Sequence, residues 1–90
     1  MATVERNHSY PDTDRFWNLV KETLEHVFQE RAGLADALKK EIGTRSAEEQ
    51  LLFYHAEPLE VAADLVGKRP SANDIRAYLQ LASRAGWTAP

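Results

Sequence analysis

The positions of glycine and proline constrain the fold of this chain more than any other feature. Each of the four glycines follows a helix-compatible segment, where a residue that tolerates positive φ can close the last turn. Three of the four prolines stand before or at the opening of such a segment, where a missing N–H breaks no helical hydrogen bond. This arrangement predicts an all-α chain. The glycines are Gly33, Gly43, Gly67 and Gly86, and the prolines are Pro11, Pro58 and Pro70.

Hydrophobic periodicity divides the chain into five amphipathic segments. The longest runs from Asp12 or Thr13 to Arg31 and carries apolar residues over about half of a helical wheel. Pro58 starts a new helix in this interpretation, because proline inside a helix costs about 3 kcal/mol. We therefore predict a compact bundle of about five short to medium helices. The four shorter segments cover about residues 34–42, 47–56, 58–66 and 71–84.

Two helices are predicted to begin with capping boxes, in which a serine and an acidic residue three positions later satisfy each other's free N–H groups. These pairs are Ser46 with Glu49 and Ser71 with Asp74. In the second helix, Asp36 can pair with Lys40 one turn later on the exposed side.

Apolar residues in the third and fifth helices predict which of their sides are buried. The run from Leu51 to His55 leaves little polar surface, which is typical of a central helix. In the last helix, we expect a buried stripe of four residues one turn apart, namely Ile75, Tyr78, Leu79 and Ala82.

Length and composition indicate one packed domain over residues 1–90, with residues 1–11 as a flexible N-terminal arm. Apolar residues make up 43% of the chain and charged residues 28%, which is ordinary globular composition. There is no cysteine, so disulfides and thiolate sites are excluded. No apolar run approaches the length of a signal peptide core or a membrane span, so we expect a soluble, cytoplasmic protein without a membrane partner.

Charge is distributed unevenly along the chain. Residues 1–64 hold 7 Lys/Arg against 13 Asp/Glu, whereas residues 65–90 hold 4 against 1. The basic end includes a possible helix-turn-helix, residues 68–84, in which Lys68 and Arg69 would contact phosphates. The outward arc of the last helix would read base edges through Asn73, Arg76, Gln80 and Arg84. Two features argue against this DNA-binding regulator: the net charge of −3 and a turn longer than the motif requires.

Catalytic and metal-binding patterns find no support in the sequence. His26 lies one turn from Glu22 and from Glu30, and His55 lies near Glu57, but neither group has the spacing of a zinc motif. The glycines are isolated, so no phosphate-binding loop is predicted. We therefore predict a protein that is not an enzyme and needs no cofactor or metal.

The aromatic residues lead to the main functional hypothesis. Trp17, Phe53, Tyr54 and Trp87 can exceed what the thin core of a small domain covers, and exposed aromatics often anchor interfaces. The chain would then be a protein-interaction or accessory module that binds an unidentified partner or a second copy of itself. The alternative is that all four aromatics pack in the core.

Overall fold

Five helices make up the fold in a computed structural model, which describes residues 13–87. The predicted all-α bundle is confirmed. The predicted N-terminal arm, residues 1–11, lies outside the described residues. No helix in the described part is long and apolar enough to cross a membrane. The helices are α1 (Thr13–His26), α2 (Leu34–Ile42), α3 (Ala47–Phe53), α4 (Pro58–Val66) and α5 (Ala72–Ala85).

Helix α1 is the centre of the bundle, because α2, α4 and α5 all pack against it. Its apolar face is buried along its whole length, and its largest buried side chains are Phe16, Trp17, Leu19, Val20 and Leu24. The one buried polar side chain among the described residues, Thr23, donates from Oγ1 to the carbonyl of Leu19 at 2.7 Å. That bond satisfies the hydroxyl within the helix, so burying Thr23 leaves no unpaired donor.

The end of α1 differs from the prediction. The helix stops at His26 rather than Arg31, and Gln29 takes the left-handed conformation, with φ of 56°, in the turn that follows. Gly33 lies at the start of α2 with helical φ, and Gly43 is helical as well. Only Gly67 and Gly86 among the described glycines have positive φ, at 68° and 70°. Positive φ is therefore found at those two positions only, although Gly43 also closes a helix, as the C-cap of α2.

Both predicted capping boxes are present. The hydroxyls of Ser46 and Ser71 accept from the N–H groups of Glu49 and Asp74, each at 3.1 Å. The two carboxylates accept in return from the serine N–H groups, at 3.3 and 3.0 Å. Pro58 begins α4 as expected.

Three predictions about the sides of the helices are wrong. Asp36 pairs with Lys21 of α1, at 3.1 Å, instead of with Lys40, and so joins α2 to the central helix. Helix α3 is peripheral, since none of its seven residues is fully buried and the side chain of Leu52 is 72% exposed. In α5, Tyr78 is buried, but Leu79 is 58% and Ile75 43% exposed.

Candidate interaction surface on helix α5

The four aromatic residues expected at an interface belong to the core. Trp17 and Tyr54 are 1% and 7% exposed, and Phe53 and Trp87 are partly buried and pack against the same core. All four rings surround Phe16, whose ring centroid lies 5.0 to 5.8 Å from theirs. The interpretation of these aromatics as exposed anchors is therefore corrected in favour of the core-packing alternative. The rings come from α1, the end of α3 and the end of the chain, so they cover one another without needing a partner.

The two tryptophan N–H groups in this cluster differ in their hydrogen bonding. Trp17 Nε1 donates to the hydroxyl of Tyr54 at 2.9 Å, and this bond joins α1 to the end of α3. Trp87 Nε1 is buried and has no acceptor among the residues that the structure describes. A buried donor without an acceptor costs stability, so the Trp87 ring is held by packing against Phe16 and not by a polar contact.

An exposed surface on α5 replaces the aromatic cluster as the candidate site. It lies around Leu79, which shares a shallow open groove of about 470 Å³ with four polar neighbours. Ile75, one turn before Leu79, extends the apolar part of this surface. We call these six residues the α5 surface: Ile75, Arg76, Leu79, Gln80, Ser83 and Arg84.

The α5 surface arises because α1 covers only one side of α5. At 100° per residue, Leu81 and Ala85 lie on the same side as Tyr78 and Ala82, and all four are buried or partly buried. Leu79 lies roughly 100° away from Tyr78 on this wheel, beyond the reach of α1. Two arginines of the surface, Arg76 and Arg84, make it basic.

The side chains of the α5 surface have few internal partners. Arg76 Nη1 donates to Asn73 Oδ1 at 3.2 Å, and no carboxylate within residues 13–87 forms an ion pair with this guanidinium group. The arc expected to read nucleic acid is exposed throughout, at Asn73, Arg76, Gln80 and Arg84. Three of these four residues thus also belong to the α5 surface.

The basic turn before α5 forms a separate site. Lys68 and Arg69 are exposed and line an open cleft of about 500 Å³ together with Glu60 and Asp64 of α4. Two carboxylates therefore stand beside the two cations that were expected to contact phosphates. The turn spans five residues, 67–71, and α4 and α5 pack mainly on α1 rather than on each other. Neither feature is typical of a helix-turn-helix.

Tyr78 fixes α5 from its buried side. Its hydroxyl donates to Glu57 Oε2 at 3.0 Å and so connects the middle of α5 to the residue that precedes α4. Burial, and then the hydrogen bond and negative charge of Glu57, raise the pKa of Tyr78 above its ordinary value. The neutral phenol is thereby the stable form in the folded protein.

The two histidines that the structure describes, His26 and His55, lie apart on the surface. His26 is exposed at the end of α1, beside a cleft of about 230 Å³ that also contacts Gln80 and Arg84. His55 is exposed, although the run from Leu51 to His55 is typical of a central helix, and its Nδ1 lies 2.7 Å from the carbonyl oxygen of Leu51. Within residues 13–87, no three His, Asp or Glu side chains are grouped so that they could hold a metal ion.

The helical step predicts the outward positions of Arg76, Gln80 and Arg84, but not the exposure of the apolar centre of the α5 surface. Leu79 and Ile75 belong to the predicted buried stripe because Ile75 lies one turn before Tyr78 and Leu79 lies one turn before Ala82. A signal was available in Leu81 and Ala85, which complete a second apolar stripe through Tyr78 and Ala82. Of the two stripes, the one with Leu81 packs against the core, and the one with Ile75 and Leu79 is exposed.

Comparison with protein family models, curated proteins and solved structures finds no match to this chain.

Proposed function

We propose that this chain is a protein-interaction module that binds its partner through the α5 surface. The observation that carries the proposal is the exposure of Leu79 and Ile75 in the midst of basic and polar side chains. An apolar centre with a polar rim is the usual anatomy of a protein interface. Burying Leu79 would supply binding energy, while Arg76 and Arg84 would orient the partner.

The charge of the α5 surface defines the chemistry of the partner. Arg76 and Arg84 favour a segment that carries carboxylates, and the groove beside Leu79 favours an apolar side chain between them. An amphipathic helix with acidic residues one turn from an exposed leucine has both features. The partner class is therefore an acidic amphipathic helix.

Affinity purification tests the proposal. Leu79→Gln alters the α5 surface, and the substitution of another exposed leucine, Leu52→Gln, is the control. The tagged protein, Leu79→Gln and Leu52→Gln are each used to capture partners from an extract of the source cells, with and without nuclease treatment. We expect the wild type and Leu52→Gln to retain a protein other than the bait itself or further copies of it, and Leu79→Gln to lose it. Equal capture by all three proteins would contradict the α5 surface as the binding site.

Nucleic-acid binding is the second candidate function, and exposure of all six predicted contact residues supports it. These residues are Lys68, Arg69, Asn73, Arg76, Gln80 and Arg84. Leu79 and Ile75 weigh against it, because phosphates cannot bury the apolar area that these side chains expose. Capture that disappears after nuclease treatment would favour this second function over the first.

A further inference from the structure

A second surface of the same chain has the features expected of the partner. Leu52 on α3 is the most exposed large apolar side chain in the described part of the protein. Glu48 and Glu49 precede it by four and three residues, so all three share one side of α3. We call these three residues the α3 surface.

The α3 and α5 surfaces are complementary in charge and similar in hydrophobicity. Each has an exposed leucine, with carboxylates beside Leu52 and guanidinium groups beside Leu79. The same asymmetry runs through the chain, since residues 1–64 are net acidic and residues 65–90 net basic. A contact between the two surfaces would bury both leucines and place opposite charges around them.

We infer that the α5 surface binds the α3 surface of a second copy of this chain. The inference rests on the proposed function and adds a second copy of the chain to the proteins that the α5 surface binds. Leu52 would enter the groove beside Leu79, and Glu48 would lie against Arg76 or Arg84. Because the two surfaces differ, each copy offers one of each. Two copies can then pair reciprocally as a closed dimer, or successive copies can add head to tail.

The contact is small, so the association is weak. One leucine pair with a charged rim falls in the size class of transient interfaces, below about 1,200 Å² of total buried area. We therefore expect association at high protein concentration, on the order of hundreds of micromolar. The charged rim should also make it weaken as salt shortens the range of electrostatic attraction.

Sedimentation equilibrium of two double variants tests the inference. Arg76→Glu/Leu79→Gln alters the α5 surface, and Glu48→Lys/Leu52→Gln alters the α3 surface. Glu49 is left in place because it belongs to the capping box of α3. Arg31→Glu reverses an exposed arginine outside both surfaces and is the matched charge control. Circular dichroism and thermal unfolding verify that each variant folds. If a double variant does not fold, the single variant Arg76→Glu replaces it for the α5 surface, or Glu48→Lys for the α3 surface.

The decisive sample is an equimolar mixture of the two double variants. Wild type and Arg31→Glu should associate, whereas each double variant alone should associate at least about fivefold more weakly. The mixture should associate more strongly than either variant alone, because one retains the α3 surface and the other the α5 surface. A wild type that forms only dimers and a wild type that forms larger head-to-tail oligomers support the inference equally.

Three outcomes would overturn the inference. In the first, the wild type stays monomeric over this concentration range. In the second, both double variants associate as strongly as the wild type. In the third, the mixture associates no more strongly than either double variant alone. The proposed function has a separate outcome. If the purified wild type is monomeric but a different protein is captured in a Leu79-dependent way, only the second-copy inference fails. If Leu79→Gln captures everything that the wild type captures, the proposed function fails as well.

Discussion

A single buried hydrogen bond, from Trp17 to Tyr54, connects the central helix to the peripheral α3. Both side chains are almost fully buried, so neither polar group can turn to water if its partner is removed. Leaving a buried donor unsatisfied costs more than the bond itself contributes. The aromatic cluster thus depends on polar pairing as well as on ring packing.

We expect Tyr54→Phe to lower the free energy of unfolding by about 1 to 3 kcal/mol, because it strands the buried Trp17 N–H. Chemical denaturation measures this, and Trp17→Phe with the double variant completes a thermodynamic cycle. The two substitutions should couple, so that Tyr54→Phe costs less when Trp17 is already Phe. Additive effects would show that the hydrogen bond contributes nothing.

Tyr78 makes stability depend on pH in the alkaline range. Its pKa in the folded protein is raised above the ordinary value of 10.0, mainly by burial and then by Glu57. A raised pKa contributes stability that is complete below the unfolded value and is lost as pH rises through the folded value. Ionisation of Tyr78 would remove the proton that its hydroxyl donates to the Glu57 carboxylate, so this hydrogen bond exists only in the neutral form.

Tyr78→Phe should therefore be less stable than the wild type by about 1 kcal/mol near neutral pH, since it loses one hydrogen bond. Above about pH 10 the wild type should lose stability that the variant keeps, so the difference should shrink. Urea unfolding of both proteins from about pH 8 to about pH 11 measures it. A difference that stays constant across this range would argue against a raised pKa for Tyr78.

At the scale of the helices, the starts of helices at capping boxes could be predicted from the sequence. Which side of each helix is buried could not. Ser46 caps α3 and Ser71 caps α5, as predicted. Both could be predicted because a capping box involves residues only three positions apart. Burial instead depends on neighbouring helices that the local pattern does not specify. Leu52 and Leu79 are apolar residues at helical spacing, yet both are exposed, since no described helix lies over them.

The candidate site was predictable to the same extent. The outward positions of Arg76, Gln80 and Arg84 follow from the helical step and were expected. The burial of Trp17 and Tyr54 could not be read from their residue types, because it depends on Phe16 bringing rings from three parts of the chain together.

Leucines on the covered and uncovered sides should respond differently to the same substitution. Leu24 of α1 is fully buried, so Leu24→Ala should cost about 2 to 5 kcal/mol through lost packing and the cavity it leaves. Leu79→Ala should change the free energy of unfolding by less than about 0.5 kcal/mol, as is usual at the surface. Chemical denaturation of dilute protein compares them. A loss above about 2 kcal/mol in Leu79→Ala would place that side chain in the core.

On the scale of the whole molecule, the distribution of charge favours a protein over a nucleic acid as the proposed partner. The chain carries a net charge of −3 although its last quarter is basic. Glu60 and Asp64 stand beside Lys68 and Arg69, and their negative potential opposes the approach of a phosphate backbone. An acidic protein segment meets less opposition, because it needs only the α5 surface.

We accordingly expect no binding of duplex DNA at tens of micromolar protein in low salt, where even non-specific contacts should begin to appear. A titration of fluorescent duplex measures this, with Glu60→Gln/Asp64→Asn as the comparison that removes the two opposing carboxylates. If only this variant binds, the carboxylates are what exclude DNA from the basic turn.

If the wild type binds, with a log–log salt slope of about −0.9 per phosphate contacted and a loss of about 1 to 3 kcal/mol in Arg76→Ala, the α5 helix reads nucleic acid. The exposed Leu79 would then lie against DNA, and the protein-interaction proposal would give way to the second candidate function.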